Sequence, residues 1–142
     1  MKRLACCWLA ALLAACVPAT PPPISHTPGP SVVIDGEFVR TDVFSAAVPG
    51  GWRVITGAAD APLSLILVAP GDCALIRLTI EAIDAPPEAS GCADQARRAE
   101  VRAIEVGGVT VYAAGGAPVT EWDAFLHDYE RVIASLIARR ES

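Results

Sequence analysis

The chain of 142 residues predicts an α+β fold, an antiparallel β-sheet flanked by helices, with a long amphipathic helix at the C-terminus. Two observations predict this fold class. Over most of the chain, short runs of β-forming residues alternate with glycine-containing turn signals, which is typical of antiparallel hairpins. At the C-terminus, apolar residues instead recur every three or four positions, which is typical of one face of a helix.

The first strands are predicted from turn signals and from alternation. Residues 32–39 predict a hairpin folded at the Asp-Gly pair 35–36. In the next segment Phe44, Ala46 and Val48 alternate onto one face. The Pro-Gly-Gly sequence at 49–51 then turns the chain, and the alternation resumes at Trp52.

The central elements follow the same logic. Residues 63–69 and 73–83 predict a strand pair around the turn at 70–72. Residues 92–103 are rich in alanine, a strong helix former, and predict a short helix. Residues 105–112 predict a further hairpin, folded at the Gly-Gly pair 107–108.

The C-terminal helix is predicted from its caps and its apolar stripe. Thr120 is a suitable N-cap, Glu121 and Asp123 suit the positive first turn, and Arg139 and Arg140 suit the negative end. We expect the stripe to cover a sheet, although it could also form a membrane-surface or partner-binding face. The stripe comprises Trp122, Phe125, Leu126, Tyr129, Val132, Ile133, Leu136 and Ile137.

The segment FSAAVPGGWRV at 44–54 resembles the pattern F-S-x-x-x-P-x-G-W with which PsbP-like and Mog1-like domains begin. The order of the later elements is similar too, including Ser135-Leu136 in the last helix. The resemblance covers about 32–140 and implies an α/β/α sandwich. It also implies an accessory or binding role, since members of this group have no shared catalytic site.

The N-terminus predicts an export signal. Lys2 and Arg3 precede twelve uncharged, mostly apolar residues, 4–15. A signal peptide has an apolar region of about 7–15 residues, whereas a membrane-spanning helix needs about 20. Pro18 prevents the helix from continuing to spanning length. Residues 1–15 are therefore predicted to be a signal peptide.

The sequence Leu13-Ala14-Ala15-Cys16 resembles the lipobox of bacterial lipoproteins. That resemblance implies cleavage before Cys16 and attachment of acyl chains such as palmitate to it. The protein would then be anchored on the extracytoplasmic face of a bacterial cell membrane or outer membrane. In the alternative interpretation, Cys16 is an ordinary small residue near the cleavage site of a soluble exported protein.

The predicted mature chain divides into a tether and one domain. Six of the fifteen residues in 17–31 are proline, and such a run packs poorly as helix or sheet. We interpret 16–31 as a lipidated cysteine with a tether, although a proline-rich docking motif is the alternative. Residues 32–142 form the predicted domain. Without Lys2 and Arg3, 9 basic side chains remain against 16 acidic ones, which argues against nucleic acid as a partner.

Cys73 and Cys92 are predicted to form a disulfide. They are the thiols left in the mature chain once Cys16 is lipidated, and an exported protein folds in an oxidising compartment. Two buried free thiols or a metal-binding pair are the alternatives. No metal site is predicted, because neither these cysteines nor His26 in the tether has neighbouring ligands in the sequence.

No catalytic motif, phosphate loop or cofactor signature is found in the sequence. Arg97, Arg98 and Arg102 are a basic cluster that could bind a carboxylate or phosphate, but acidic neighbours favour a solvated helix face. We therefore expect a non-catalytic binding domain with no cofactor, anchored through Cys16 and acting on a protein partner at the membrane. The alternative is a small extracytoplasmic hydrolase or isomerase with a dispersed site. Its candidate residues are Glu81, His127 and Asp128. Asp84 lies close to Glu81 in the sequence, but nothing in the sequence shows that the two carboxylates converge on a cleft.

Overall fold

The computed structural model describes residues 32–57, 63–85 and 88–139. The predicted signal peptide, Cys16, the predicted tether and His26 lie outside these residues. Within them, two antiparallel sheets and one α-helix share a hydrophobic core. The elements are β1 (Val33–Asp35), β2 (Phe38–Arg40), β3 (Phe44–Ala47), β4 (Arg53–Thr56), β5 (Ser64–Val68), β6 (Leu75–Thr79), β7 (Arg97–Val106), β8 (Val109–Pro118), α1 (Trp122–Ala134) and β9 (Ile137–Ala138).

The two sheets are formed from different parts of the chain. The first has the strand order β1-β2-β3-β9, and the second has the order β4-β5-β6-β8-β7. The chain passes from the first sheet to the second at the predicted Pro-Gly-Gly turn, between β3 and β4. After α1 it returns to the first sheet, where β9 pairs with β3. A single antiparallel sheet was predicted, and the structure has two. The coarser prediction, an α+β fold with antiparallel strands, is confirmed.

The hairpin predictions are confirmed, with some boundaries moved. The first turn comprises Gly36 and Glu37, one position later than predicted, because Asp35 pairs with Phe38. The strands β5 and β6 pair as expected. The last hairpin is much longer than predicted, since β7 and β8 each have ten residues. Its two-residue turn has both glycines at positive φ, as the tight hairpin turns require.

The predicted helix over 92–103 is wrong. A 3₁₀ turn covers Ser90–Cys92, and strand β7 begins at Arg97. The alanines in this segment favour a helix locally, but the alternation of Arg98, Glu100 and Arg102 with smaller residues also fits a strand. Pairing with β8 over the full length of β7 decides between the two.

Helix α1 is shorter than predicted and begins differently. Its N-cap is Glu121, not the predicted Thr120, and no side chain caps it. The helix ends at Ala134 because the chain turns back there. The hydroxyl of Ser135 donates to the carbonyl of Val132 and accepts the N–H of Ala47, both at 2.7 Å, so the helix end is held against β3.

The last predicted helical residues consequently lie outside α1. Ile137 is in β9 and is 62% exposed, so it does not belong to the buried stripe. Arg139 forms an ion pair with Asp42 at 3.1 Å and is not at a helix end, while Arg140 lies outside the described residues. The rest of the stripe packs inward as predicted. Its buried members are Trp122, Phe125, Tyr129 and Val132.

The helix packs on a face of β8 made of small residues. Gly115 is central to this contact: a Cβ there would lie 2.6 Å from Cζ of Phe125 and 2.9 Å from Cδ2 of Tyr129. The hydroxyl of Tyr129 donates to the carbonyl of Ala113 at 2.8 Å in the buried interior. This partner satisfies the only polar group of the tyrosine side chain, so its burial leaves no unpaired donor.

The predicted cysteine pair lies on the other side of the second sheet. Cys73 and Cys92 are at disulfide-bonding distance, and their Cα atoms are 5.1 Å apart. The segment before Cys92 brings Ala89 onto Val68 and Leu75, which form a small separate apolar cluster. A bond between the cysteines therefore holds this segment on the sheet.

We predict that Phe125→Ala lowers the free energy of unfolding by about 3–5 kcal/mol, because it removes a buried aromatic ring from the contact between helix and sheet. Phe125 is 3% exposed and packs against Trp122 and Tyr129. Chemical denaturation followed by circular dichroism measures the change. Val119→Ala, at a 48% exposed position, is the control and should have little effect. Equal stability of the Phe125→Ala variant and the wild type would contradict this packing.

We predict one disulfide between Cys73 and Cys92 in the exported protein. Non-reducing peptide mapping should recover a single fragment that contains both residues. Reduction should lower the free energy of unfolding by about 3 kcal/mol, since the bond closes a loop of about 20 residues. Alkylation of both thiols in the native, unreduced protein would refute the bond.

Candidate functional site

An open groove of about 880 Å³ lies where the first sheet meets the turn between β7 and β8. Gly107 in that turn approaches β9 so closely that a Cβ on it would collide with Ala138. The groove therefore lies between β9, at the edge of the first sheet, and the turn between β7 and β8, at one end of the second sheet. Its lining is Val33, Arg40, Thr41, Phe44, Ser45, Glu105, Val106, Gly107, Leu136, Ile137, Ala138 and Arg139.

One row of directly paired residues crosses all four strands of the first sheet and lies in this groove. The row is Val33, Arg40, Ser45 and Ile137. Val39, Phe44 and Ala46, which neighbour the row along β2 and β3, are buried in the core. Because side chains alternate along a strand, the row is on the opposite, solvent-facing side. We call it the groove row.

The groove row exposes apolar side chains at both of its ends. Val33 is 52% exposed and Ile137 is 62% exposed. Phe38, which faces the same side from the next row, is exposed as well. A single exposed aliphatic residue is ordinary on a protein surface, but several on one sheet face form a patch that suits contact with another molecule.

The charged groups of the groove are held by partners on the domain. Arg40 forms an ion pair with Asp35 at 3.2 Å, and Glu105 accepts a hydrogen bond from the hydroxyl of Thr110 at 2.5 Å. Arg139 contacts both the carboxylate of Asp42 and the carbonyl of Thr41. The groove thus carries polar groups that are paired within the domain, beside its apolar ends.

Thr41 fixes the backbone beneath the groove. It is 1% exposed, and its hydroxyl donates to the carbonyl of Phe44 at 2.9 Å while accepting the N–H groups of Val43 and Phe44. These hydrogen bonds provide partners for the backbone polar groups of Val43 and Phe44 at the turn between β2 and β3. Buried hydrogen bonds therefore join the floor of the groove to the core residue Phe44.

The predicted arginine cluster is divided between the two faces of β7, because β7 is a strand and not a helix. Arg97 points to the side of the cysteine pair, where its Nη1 donates to the carbonyl of Cys73 at 2.9 Å. Arg98 and Arg102 lie on the helix side, stacked over the rings of Trp122 and Tyr129. The three guanidinium groups therefore do not converge on one anion.

Arg102 is the centre of an ionic network on the helix side. It pairs with Glu100 on its own strand and with Glu130 on α1. The hydrogen bond to Glu130, followed by that to Glu100, raises the pKa of the Arg102 guanidinium, and the hydrogen bond from Arg102 lowers the pKa of Glu130. Burial raises the pKa of Tyr129 to about 12. These groups keep their ordinary charges at neutral pH.

The residues considered for a catalytic site are dispersed. Glu81 and Asp84 are exposed in the segment after β6, and His127 is exposed on α1. Asp128 forms an ion pair with Arg131, one helical turn further on, at 3.6 Å. Among the described residues, no hydrogen bond or ion pair joins Glu81 or Asp84 to His127 or Asp128. Catalysis by a concerted acid and base would need such groups within reach of one substrate.

Residues 32–57, 63–85 and 88–139 contain neither a metal-binding cluster nor a membrane-spanning helix. No group of three or more His, Cys, Asp or Glu side chains in this part of the chain is arranged to hold a metal ion. No helix in it has the length and apolarity needed to cross a membrane.

Sequence reasoning did not predict the groove row. Its members come from β1, β2, β3 and β9, which are separated by up to about a hundred positions in the chain, and only the strand register brings them together. Comparison with protein-family models, curated proteins and solved structures found no match to this chain.

Proposed function

We propose that this protein is a bacterial lipoprotein whose domain binds another protein at the extracytoplasmic face of a membrane, without catalysis. The observation that supports this proposal best is the groove row, an exposed, partly apolar surface built on four paired strands. The dispersed positions of Glu81, His127 and Asp128 give an acid–base mechanism no comparable support.

The anchor in this proposal is Cys16. Its context, Leu13-Ala14-Ala15-Cys16 after a basic start and an apolar run, is the pattern that lipoprotein processing requires. The proline-rich residues 17–31 would separate the lipid from the domain. If extended at about 3.1 Å per residue, they would reach about 45 Å. Since the described domain begins at Val32, the tether would enter it beside β1, at one end of the groove row.

Confinement to a membrane surface favours a partner that is confined there too. A tether converts a second binding event into a nearly intramolecular one, so a modest contact area can be sufficient. The groove offers apolar ends at Val33 and Ile137 with the paired Arg40 between them. We therefore expect a partner segment with apolar side chains and a polar group at its middle.

We also propose that the domain belongs to the PsbP-like domains, on the basis of residues 44–54. Phe44 is fully buried at the start of β3, and Trp52, after the Pro-Gly-Gly turn, stacks near Phe125 with ring centroids 6.4 Å apart. These contacts give the matching residues a structural role in joining the sheets to α1. The 13 residues of α1 are fewer than the long helix that the resemblance implies.

We predict that Cys16→Ser releases the protein from membranes, because the residue that carries the lipid is lost. Membrane fractionation measures the release, and mass spectrometry of the wild type should find an acylated N-terminal Cys16. Cys7→Ser, which changes a cysteine inside the predicted signal peptide, is the matched control and should stay anchored. An unmodified N-terminus beginning after residue 16 would contradict the proposal.

We predict that a photo-reactive amino acid at Val33 cross-links one membrane protein reproducibly in native membranes. The same amino acid at Val119, exposed outside the groove, is the control and should not capture that protein. Adding Ile137→Asp should abolish the Val33 adduct while circular dichroism is unchanged, since it places a charge at an apolar end of the groove. An adduct that persists in the Ile137→Asp variant would show that the groove row is not the binding surface.

A further inference from the structure

Among the described residues, strand β7 forms a long edge of the second sheet, with no strand paired on its outer side. It has ten residues, Arg97–Val106, and β8 pairs with one side of it only. Proteins usually shorten, cover or twist such edges, because exposed N–H and C=O groups can pair with another strand. Val101, at the middle of this edge, is 42% exposed.

The register fixes which backbone groups of β7 are free. The N–H of Val119 donates to the carbonyl of Ala96 at 2.8 Å, so positions 96 and 119 form a hydrogen-bonded pair. Such pairs alternate along an antiparallel ladder. Arg98, Glu100 and Arg102 therefore bond to β8, and the backbone groups of Ala99, Val101 and Ala103 point away from the sheet.

We propose that β7 pairs with β7 of a second copy of this chain, antiparallel, around a two-fold axis at Val101. In that register the pairs on the outward-bonding positions are Val101 with Val101 and Ala99 with Ala103. Arg97 lies opposite Glu105, but its guanidinium reaches across β8 to the carbonyl of Cys73, so this position adds no charge pair. Glu100 then lies opposite Arg102 on the helix side. The two-fold axis repeats the Glu100–Arg102 pair, so two opposite-charge pairs form across the interface.

The charges select this register over its neighbours. A shift of the partner by two residues in one direction places Glu100 opposite Glu100, and Arg98 opposite Arg102. A shift by two in the other direction places Arg102 opposite Arg102. Like charges directly opposite each other destabilise a strand pair. If the charged side chains only kept other strands from pairing with β7, they would not need to match the charges of a second β7 in one register.

The rest of the domain is compatible with this pairing. A two-fold axis perpendicular to the sheet joins the two five-stranded sheets edge to edge and leaves both copies of α1 on the same face. The helix already orients the charged side chains, since Arg102 is held by Glu130 and by the ring of Tyr129. Ala99, Val101 and Ala103 are small, so the second strand can approach without displacing large side chains.

Charge reversal tests the proposal. The exported protein is extracted from cells in detergent and examined by native mass spectrometry over a range of concentrations. The wild type should form dimers. Glu100→Arg and Arg102→Glu should each raise the dimer dissociation constant about tenfold or more, because each one creates two like-charge pairs across the two-fold axis.

The two variants should rescue each other. When Glu100→Arg and Arg102→Glu chains with tags of different mass are co-expressed, every altered pair between them is again of opposite charge, so heterodimers should exceed both homodimers. A chain that failed to fold could not be rescued in this way. Glu37→Arg, in the turn between β1 and β2, is the control for charge reversal and should leave the wild-type dimer unchanged.

Hydrogen exchange gives an independent measurement on the wild type. The amides of Ala99, Val101 and Ala103 should exchange more slowly as the protein concentration rises, while those of exposed β1 residues should not change. A wild type that stays monomeric over the concentration range, or folded variants that form no heterodimer, would overturn the proposal.

Discussion

The close contact between α1 and β8 is the constraint on which the rest of the structure depends. A helix can lie this near to a strand only where the strand carries almost no side chains, and β8 provides Ala113, Gly115 and Ala117 on the contacting face. The aromatic rings of Phe125 and Tyr129 fill the space instead. Glycine weakens a strand by itself, so the sheet tolerates Gly115 because the aromatic packing compensates for it.

This contact also determines where the two surfaces lie. At its C-terminal end, α1 is held to β3 through Ser135 and Ala47, and the chain is thereby directed into β9, which completes the groove row. Along its length, α1 places Trp122, Tyr129 and Glu130 beneath the arginines of β7. One packed layer therefore positions both the groove and the charged edge, although they belong to different sheets.

Local sequence signals predicted the elements that depend on local interactions. The turns at Gly36, at 70–72 and at 107–108 need specific backbone conformations, and their residues indicated them. The predictions for 92–103 and for the end of α1 were wrong where long-range pairing decides the outcome. Alanine in β7 favours a helix until β8 is available as a partner, and the Ala-Ala-Gly-Gly segment of β8 resembles a loop until α1 covers it.

The groove row and the charged edge of β7 could not be predicted from the sequence either, because both depend on long-range pairing. The sequence indicated Ile137 as a core residue because it continues the helical spacing, and its exposure follows only from the turn at Ser135. The charge pattern of β7 was visible as a mixture of arginine and glutamate, but it has no meaning on a helix. On an edge strand the same residues can become self-complementary, because the strand period places Glu100 and Arg102 on one face and a two-fold axis at Val101 sets each of them opposite the other. The proposed role of β7 in dimerisation thus depends on residues 97–106 forming a strand, and pairing with β8 determines that they do.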